Sequence, residues 1–202
     1  MQKITFVIAM LLITLTVSSQ DFVHYRDNGT ITLKDSSIIE GDLYYSLSYP
    51  GHVRLVQPGR DDKLRPEEMI GFQIGDMVFK TILAKDAISL TDKGYMFAQL
   101  LNPDCTKIQV YKSETQAIIA VNNNAEITTS YYVFMPEVGQ ALPVGDLKFM
   151  PSRKIAKYVT QCPDLASKLA SKDKDYSVGM ISSDQMRVNL FLKIAREYEA
   201  CK

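Results

Sequence analysis

Three cysteines, two histidines and a few adjacent carboxylates are the residues of this 202-residue chain whose types could support covalent, metal or acid–base chemistry. A zinc site needs three or four ligands brought together. His24 and His52 fall on separate predicted strands, and no His-Glu-x-x-His or Cys-x-x-Cys spacing occurs, so no metal centre is expected. Neither a Gly-x-Ser-x-Gly elbow nor a Gly-rich phosphate loop is present. Ser171-Lys172-Asp173-Lys174 matches Ser-x-x-Lys by pattern. A Ser–Lys nucleophile requires a lysine desolvated enough to lose its proton, and a charged loop supplies the opposite. Asp61-Asp62 and Glu67-Glu68 could do acid–base work or hold calcium, but the alternating Asp/Asn, Gly and distal Glu of a calcium loop are missing. Both acid pairs read as solvated turns. No catalytic residue, metal ligand or cofactor is assigned on these grounds.

The cysteines carry a firmer expectation. Cys162 precedes one predicted helix and Cys201 follows another, so an antiparallel pair of helices sets both thiols at one end. A disulfide between them is expected if the Cα atoms come within about 4.4–6.8 Å. It would close a loop of roughly forty residues, worth about 3–4 kcal/mol by the chain-entropy account. Cys105 is left over, either buried and inert or available to another thiol. Tyrosines supply the remaining chemistry. Tyr44-Tyr45 and Tyr131-Tyr132 are adjacent pairs on predicted strands, and alternation places one ring of each pair on each face. One face is core; the other is a candidate binding surface for a sugar or peptide. Asn28-Gly29-Thr30 is a glycosylation sequon by pattern and also a turn.

These residues are positioned by strands and a helical tail. Thr30 to Lys34 alternates, Asp35-Ser36 turns the chain, and Leu43, Tyr45 and Leu47 resume the alternation beyond Gly41, a bulge or close-approach point. His52 to Gln57 is bounded by Pro50-Gly51 and Pro58-Gly59; Arg60 to Lys63 reads as a solvated loop. Ile70, Phe72 and Ile74 alternate into a strand, and Gly75-Asp76 turns it back through Met77 to Ile82. Tyr95 to Leu101 pairs with Thr106 to Lys112, and Gln116 to Val121 with Glu126 to Met135. Pro163 suits the first position of a helix with Leu165 and Leu169 on its buried ridge. Ser182-Ser183-Asp184-Gln185 opens a second, with Met186, Leu190, Ile194 and Tyr198 as its stripe, widened by Phe191 and Leu192. The fold class is therefore α+β: a mainly antiparallel sheet, barrel-like or sandwich, over residues 20–150, with a C-terminal helical segment, 151–202, packed on it.

Residues 1–19 read as a signal peptide: Lys3, an uncharged apolar run from Ile4 to Val17, and small residues at Val17-Ser18-Ser19. The run is shorter than the roughly 20 apolar residues of a spanning helix, and no second such run follows. Export to an oxidising periplasmic or extracellular setting is expected, where disulfides persist. Without Lys3, 22 basic and 23 acidic side chains leave one net negative charge, which argues against nucleic acid as a partner. The charges are uneven: residues 20–147 hold 11 basic and 17 acidic groups, residues 148–202 hold 11 and 6. A basic tail lying across an acidic sheet is the simpler reading; docking on an anionic envelope surface is the sharper one.

With these residues in view, the chain resembles a family of uncharacterised exported, signal-peptide-bearing proteins of Bacteroidetes-type bacteria. The resemblance is carried by Ile31 to Leu43 with its Gly, Pro66-Glu67-Glu68-Met69-Ile70-Gly71-Phe72, Val110-Tyr111-Lys112, Gln161-Cys162-Pro163-Asp164-Leu165, and Ala195 to Lys202. Where such proteins often read Tyr-Asn near the last Cys, this chain has Tyr198-Glu199. The resemblance implies a leader and this fold but no activity. The expected function is a non-enzymatic binding or envelope-accessory protein whose partner is an envelope protein or glycan. The alternative is a hydrolase of envelope polymers, using two carboxyl groups about 5–9 Å apart that only the fold brings together.

Overall fold

Alternating side chains lay out ten strands, and the computed structural model describes them within residues 23–85, 92–119, 124–144, 155–177 and 182–201. The leader expected over 1–19, the turn residues Asn122 and Asn123, and the boundary expected near residue 150 lie outside the described residues. The strands are β1 (His24–Leu33), β2 (Ile38–Ser46), β3 (Val53–Gln57), β4 (Arg60–Leu64), β5 (Met69–Ile74), β6 (Met77–Lys85), β7 (Asp92–Leu100), β8 (Gln109–Ile119), β9 (Asn124–Phe134) and β10 (Ala141–Pro143). Two helices follow, α1 (Pro163–Ser171) and α2 (Asp184–Ala200). The class is α+β, mainly antiparallel, with the helices in the C-terminal segment.

The order of pairing is β10-β9-β8-β7-β6-β5-β1-β2-β3-β4, and β10 also meets β6. Strands β6 to β10 therefore close a five-stranded barrel, and the remaining five extend from β6 as a ribbon. Every ladder is antiparallel except the seam, a parallel contact at Ala141 and Ala84. Both alanines are buried, and their small side chains let the two strands meet there. Between barrel and sandwich, the structure is a barrel with an open flank.

Strand alternation then sorts the core into three. Ile82, Ala84, Ala98, Leu100, Tyr111, Tyr132 and Ala141 fill the barrel. On the opposite faces of β8 and β9, Val110 and Val133 pack under the helical tail with Leu165, Leu169, Phe191 and Ile194. A third cluster under the ribbon is aromatic, with Phe72 stacked on Phe79 at 4.6 Å and Phe97 edge-on to Phe72 at 5.0 Å. Each fully buried Leu, Ile or Phe contributes about 1.5–3 kcal/mol of transfer free energy.

Five expectations change. Asn28-Gly29-Thr30, expected as a turn, lies inside the continuous strand β1, paired with Asp42, Gly41 and Glu40 of β2. Residues 60–64 form the strand β4 rather than a solvated loop, because Pro58-Gly59 is itself a hairpin turn with Gly59 at φ 76°. Asp61 pairs with Arg54 and Asp62 with Arg60. Among the described strands β4 is the free edge of the sheet, and its charges discourage edge-to-edge association. Strand β8 runs unbroken from Gln109 to Ile119, so Gln116 to Ile119 continues the strand that begins before Lys112. In β5, Met69 is buried and Ile70 is exposed, since the register against β1 shifts between Thr32 and Leu33. The stripe of α2 is Val188, Phe191, Ile194, Ala195 and Tyr198, and Met186 is exposed. A line of i+4 steps drifts about 40° around the helix at each step, so a straight buried face must alternate threes and fours.

The helix starts follow local chemistry. Pro163 occupies the first turn of α1. Ser183 caps α2 by accepting from the Met186 amide at 3.3 Å, while Gln185 turns instead to Asn189 and the Tyr131 hydroxyl. Cys162 and Cys201 are disulfide-bonded with Cα atoms 5.7 Å apart, joining the start of α1 to the end of α2. Cys105 is free and buried.

Candidate functional site

The barrel is closed at Ala84 but β10 is only three residues long, so the ring opens beyond the start of β10. There a pocket of about 340 Å³ is lined by Lys80, Thr81, Ile82 and Leu83 of β6, Gln109 and Tyr111 of β8, Phe134 of β9, Ile70, and the approach Gly139-Gln140. Register explains the convergence. Tyr111 faces Leu100 across one ladder and Tyr132 across the other, and Gln109 faces Phe134, so these side chains share the interior face. Lys80 lies opposite Ala98 and shares its face of β6 with Ile82 and Ala84.

The polar groups are placed unequally. The Tyr111 hydroxyl donates to Gln109 Oε1 at 2.6 Å, and burial pushes its pKa up to about 12, so it stays a neutral phenol. Gln109 Nε2 reaches the Cys105 carbonyl at 3.5 Å, which leaves donor capacity on the amide. Thr81 donates to the Pro66 carbonyl at 3.2 Å. Lys80 is half-buried and has no hydrogen-bond or ion-pair partner among the described residues. An apolar wall of Ile82, Leu83 and Phe134 with a few directed polar groups is what orients a small ligand.

Two other depressions are less suited. Beside Tyr25 and Tyr45, the Lys112–Glu114 ion pair (3.0 Å) borders a gap of about 10 Å³, room for roughly one water. Burial and then the Glu114 carboxylate raise the Tyr25 pKa there. The open depression over Asn28, Thr30, Glu40 and Gln73 is larger, about 610 Å³, but glycines and polar groups line it with no apolar wall.

The sequence-derived candidates do not assemble into one surface. Each tyrosine pair does split across its strand. Tyr45 and Tyr132 are buried, Tyr132 inside the barrel and Tyr45 in the aromatic core. Tyr44 packs its ring on His24 at 5.1 Å, and Tyr131 lies against the tail with its hydroxyl on Gln185 at 3.2 Å. The exposed tyrosines are Tyr49 and Tyr95. His52, just before β3, is separated from His24 of β1 by strand β2, and burial followed by the charges of Lys63 and Arg65 lowers its pKa. Of the acid pairs, Asp61 and Asp62 are bound to arginines, and Glu68 accepts from the Arg65 amide at 2.6 Å. No group of three metal-ligating side chains occurs among the described residues, and no described helix is long and apolar enough to cross a membrane.

Lys80 escaped the sequence reading, although a signal existed. In Val78-Phe79-Lys80-Thr81-Ile82 the lysine falls on the same alternating face as Val78 and Ile82, where an inward apolar residue is the ordinary choice. Compared with known proteins, the chain matches no family model, no curated protein and no solved structure.

Proposed function

We propose that this chain is an exported, non-enzymatic binding protein of the cell envelope, periplasmic or at the cell surface, that takes up part of an envelope protein or glycan at the barrel mouth. One observation carries this reading: a pocket of about 340 Å³ with an apolar wall and, among the described residues, a Lys80 without an ion-pair or hydrogen-bond partner. Its volume falls in the roughly 300–1,000 Å³ range of small-molecule sites. Export is supported by the apolar run at Ile4 to Val17 and by the Cys162–Cys201 disulfide, since such bonds persist in oxidising compartments. The resemblance to exported proteins of Bacteroidetes-type bacteria points the same way.

Amide chemical-shift mapping against short envelope peptides and glycan fragments tests the site. Shifts confined to Lys80, Gln109, Tyr111, Phe134 and Gly139 are expected. Shifts clustered instead around Tyr44, Tyr49 or the β4 edge would move the site elsewhere.

A further inference from the structure

We infer that the barrel mouth selects a ligand that presents a carboxylate attached to a short apolar body, with the Lys80 ammonium as its counter-ion. The inference rests on the binding reading above and adds the ligand's chemical class. Among the described residues lining the pocket, Lys80 is the one ionic side chain, and no acid faces it. Among the described residues the Lys80 ammonium has no opposite charge in the pocket lining to balance it. A carboxylate placed on it supplies that balance and gains a charge-assisted hydrogen bond.

The neighbours fit the same ligand. Gln109 holds the Tyr111 hydroxyl through its carbonyl oxygen, which turns its amide N–H groups toward acceptors. Ile82 and Phe134 supply the apolar wall beyond the charge. A cationic ligand would meet Lys80 as a like charge. A large polar ligand would leave that wall wet.

Two sources present this chemistry, a free acyl carboxylate and the C-terminus of a peptide ending in an apolar residue. Calorimetric titration of the folded full chain with hexanoate and with N-acetyl-leucine covers both. Hexan-1-ol and N-acetyl-leucinamide serve as the neutral counterparts. At least one acid is expected to bind about tenfold or more tighter than its neutral counterpart, the size of one charge-assisted hydrogen bond. Lys80→Gln is expected to erase that difference and Lys80→Arg to keep it. Both variants are checked for a wild-type circular dichroism spectrum. Preference for hexanoate assigns the acyl source, and preference for N-acetyl-leucine the peptide terminus. Equal binding of acid and neutral probe overturns the inference and leaves the binding site standing. No binding of any of the four probes at millimolar concentration overturns both.

Discussion

Lys107 and Glu199 each hold the other's chain segment. Glu199 Oε2 accepts from the Lys107 backbone amide at 3.0 Å, while the Lys107 ammonium donates to the carbonyls of Tyr198 and Cys201, each at 3.0 Å. The amide and hydroxyl of Thr106 add two donors to the same carboxylate, both at 2.9 Å. The last carbonyls of a helix lack intrahelical donors and carry the negative end of its dipole, so an ammonium there satisfies both. The ammonium also lies 4.9 Å from the Tyr198 ring centre. By this exchange the end of α2 is fixed to the segment entering β8, the strand that carries Gln109 and Tyr111 to the mouth.

Acid should loosen this junction. Hydrogen bonds from the Lys107 and Thr106 amides hold the Glu199 carboxyl below its ordinary range. A folded-state pKa below the unfolded one gives stability that is present above the unfolded value and is lost as pH falls through the folded one. Denaturant midpoints from about pH 7 to about pH 3 should therefore show Glu199→Gln less stable than wild type near neutrality, with the gap closing below the ordinary Glu value of about 4.3. A gap constant with pH would mean that the charge of Glu199 plays no part.

Reduction should cost more than any single surface change. Cys162 and Cys201 are 39 residues apart in sequence and cap the start of α1 and the end of α2, at one end of the helix pair. Cys162→Ser is expected to lower unfolding free energy by about 3–4 kcal/mol, read from urea titrations with and without reductant. Wild type should fall to the variant's value on reduction, and the variant should be unmoved. Cys105, only 4% exposed, should react with a thiol reagent after unfolding and not before. A reductant-insensitive wild type would contradict the bridge.

Gly29 marks a close approach between strands. It pairs with Gly41 of β2 and Ile74 of β5, and a Cβ there would stand 2.0 Å from the Gln73 carbonyl oxygen. Backbone cannot yield as a flexible side chain can, so Gly29→Ala should destabilise by about 1–3 kcal/mol. At Gly51 nothing lies within 4 Å, and Gly51→Ala should stay within about 0.5 kcal/mol. Thermal melts of the two variants side by side decide it; equal melting would remove the steric account.

Local chemistry was legible where one segment settles the matter. Pro163 at the start of α1, the Ser183 cap of α2 and the Gly75 turn between β5 and β6 each follow from a few adjacent residues. So did Gly41, which serves as a close approach: a Cβ there would meet Leu55 Cδ1 at 2.7 Å, and β1 and β2 stay in unbroken register. What escaped depends on distant partners. The barrel closes at Ala84 and Ala141, two alanines with nothing in their own segments to announce a seam. The β4 charges read as a loop because the Arg54 that pairs with Asp61 lies on another strand. Lys80 was passed over because a lone lysine on a strand is ordinarily solvent-facing, and only closure of the barrel turns it inward.

The uptake of a ligand at the barrel mouth is tested most directly with a single fluorophore, since the chain contains no tryptophan. Phe134→Trp places one on the pocket wall; Tyr49→Trp places one on a residue 72% exposed. Titration with the carboxylate probes should change the emission of the Phe134→Trp protein saturably and leave the Tyr49→Trp protein unchanged. An unchanged Phe134→Trp spectrum at concentrations where calorimetry detects binding, or an equal response from both variants, would contradict a site in the barrel.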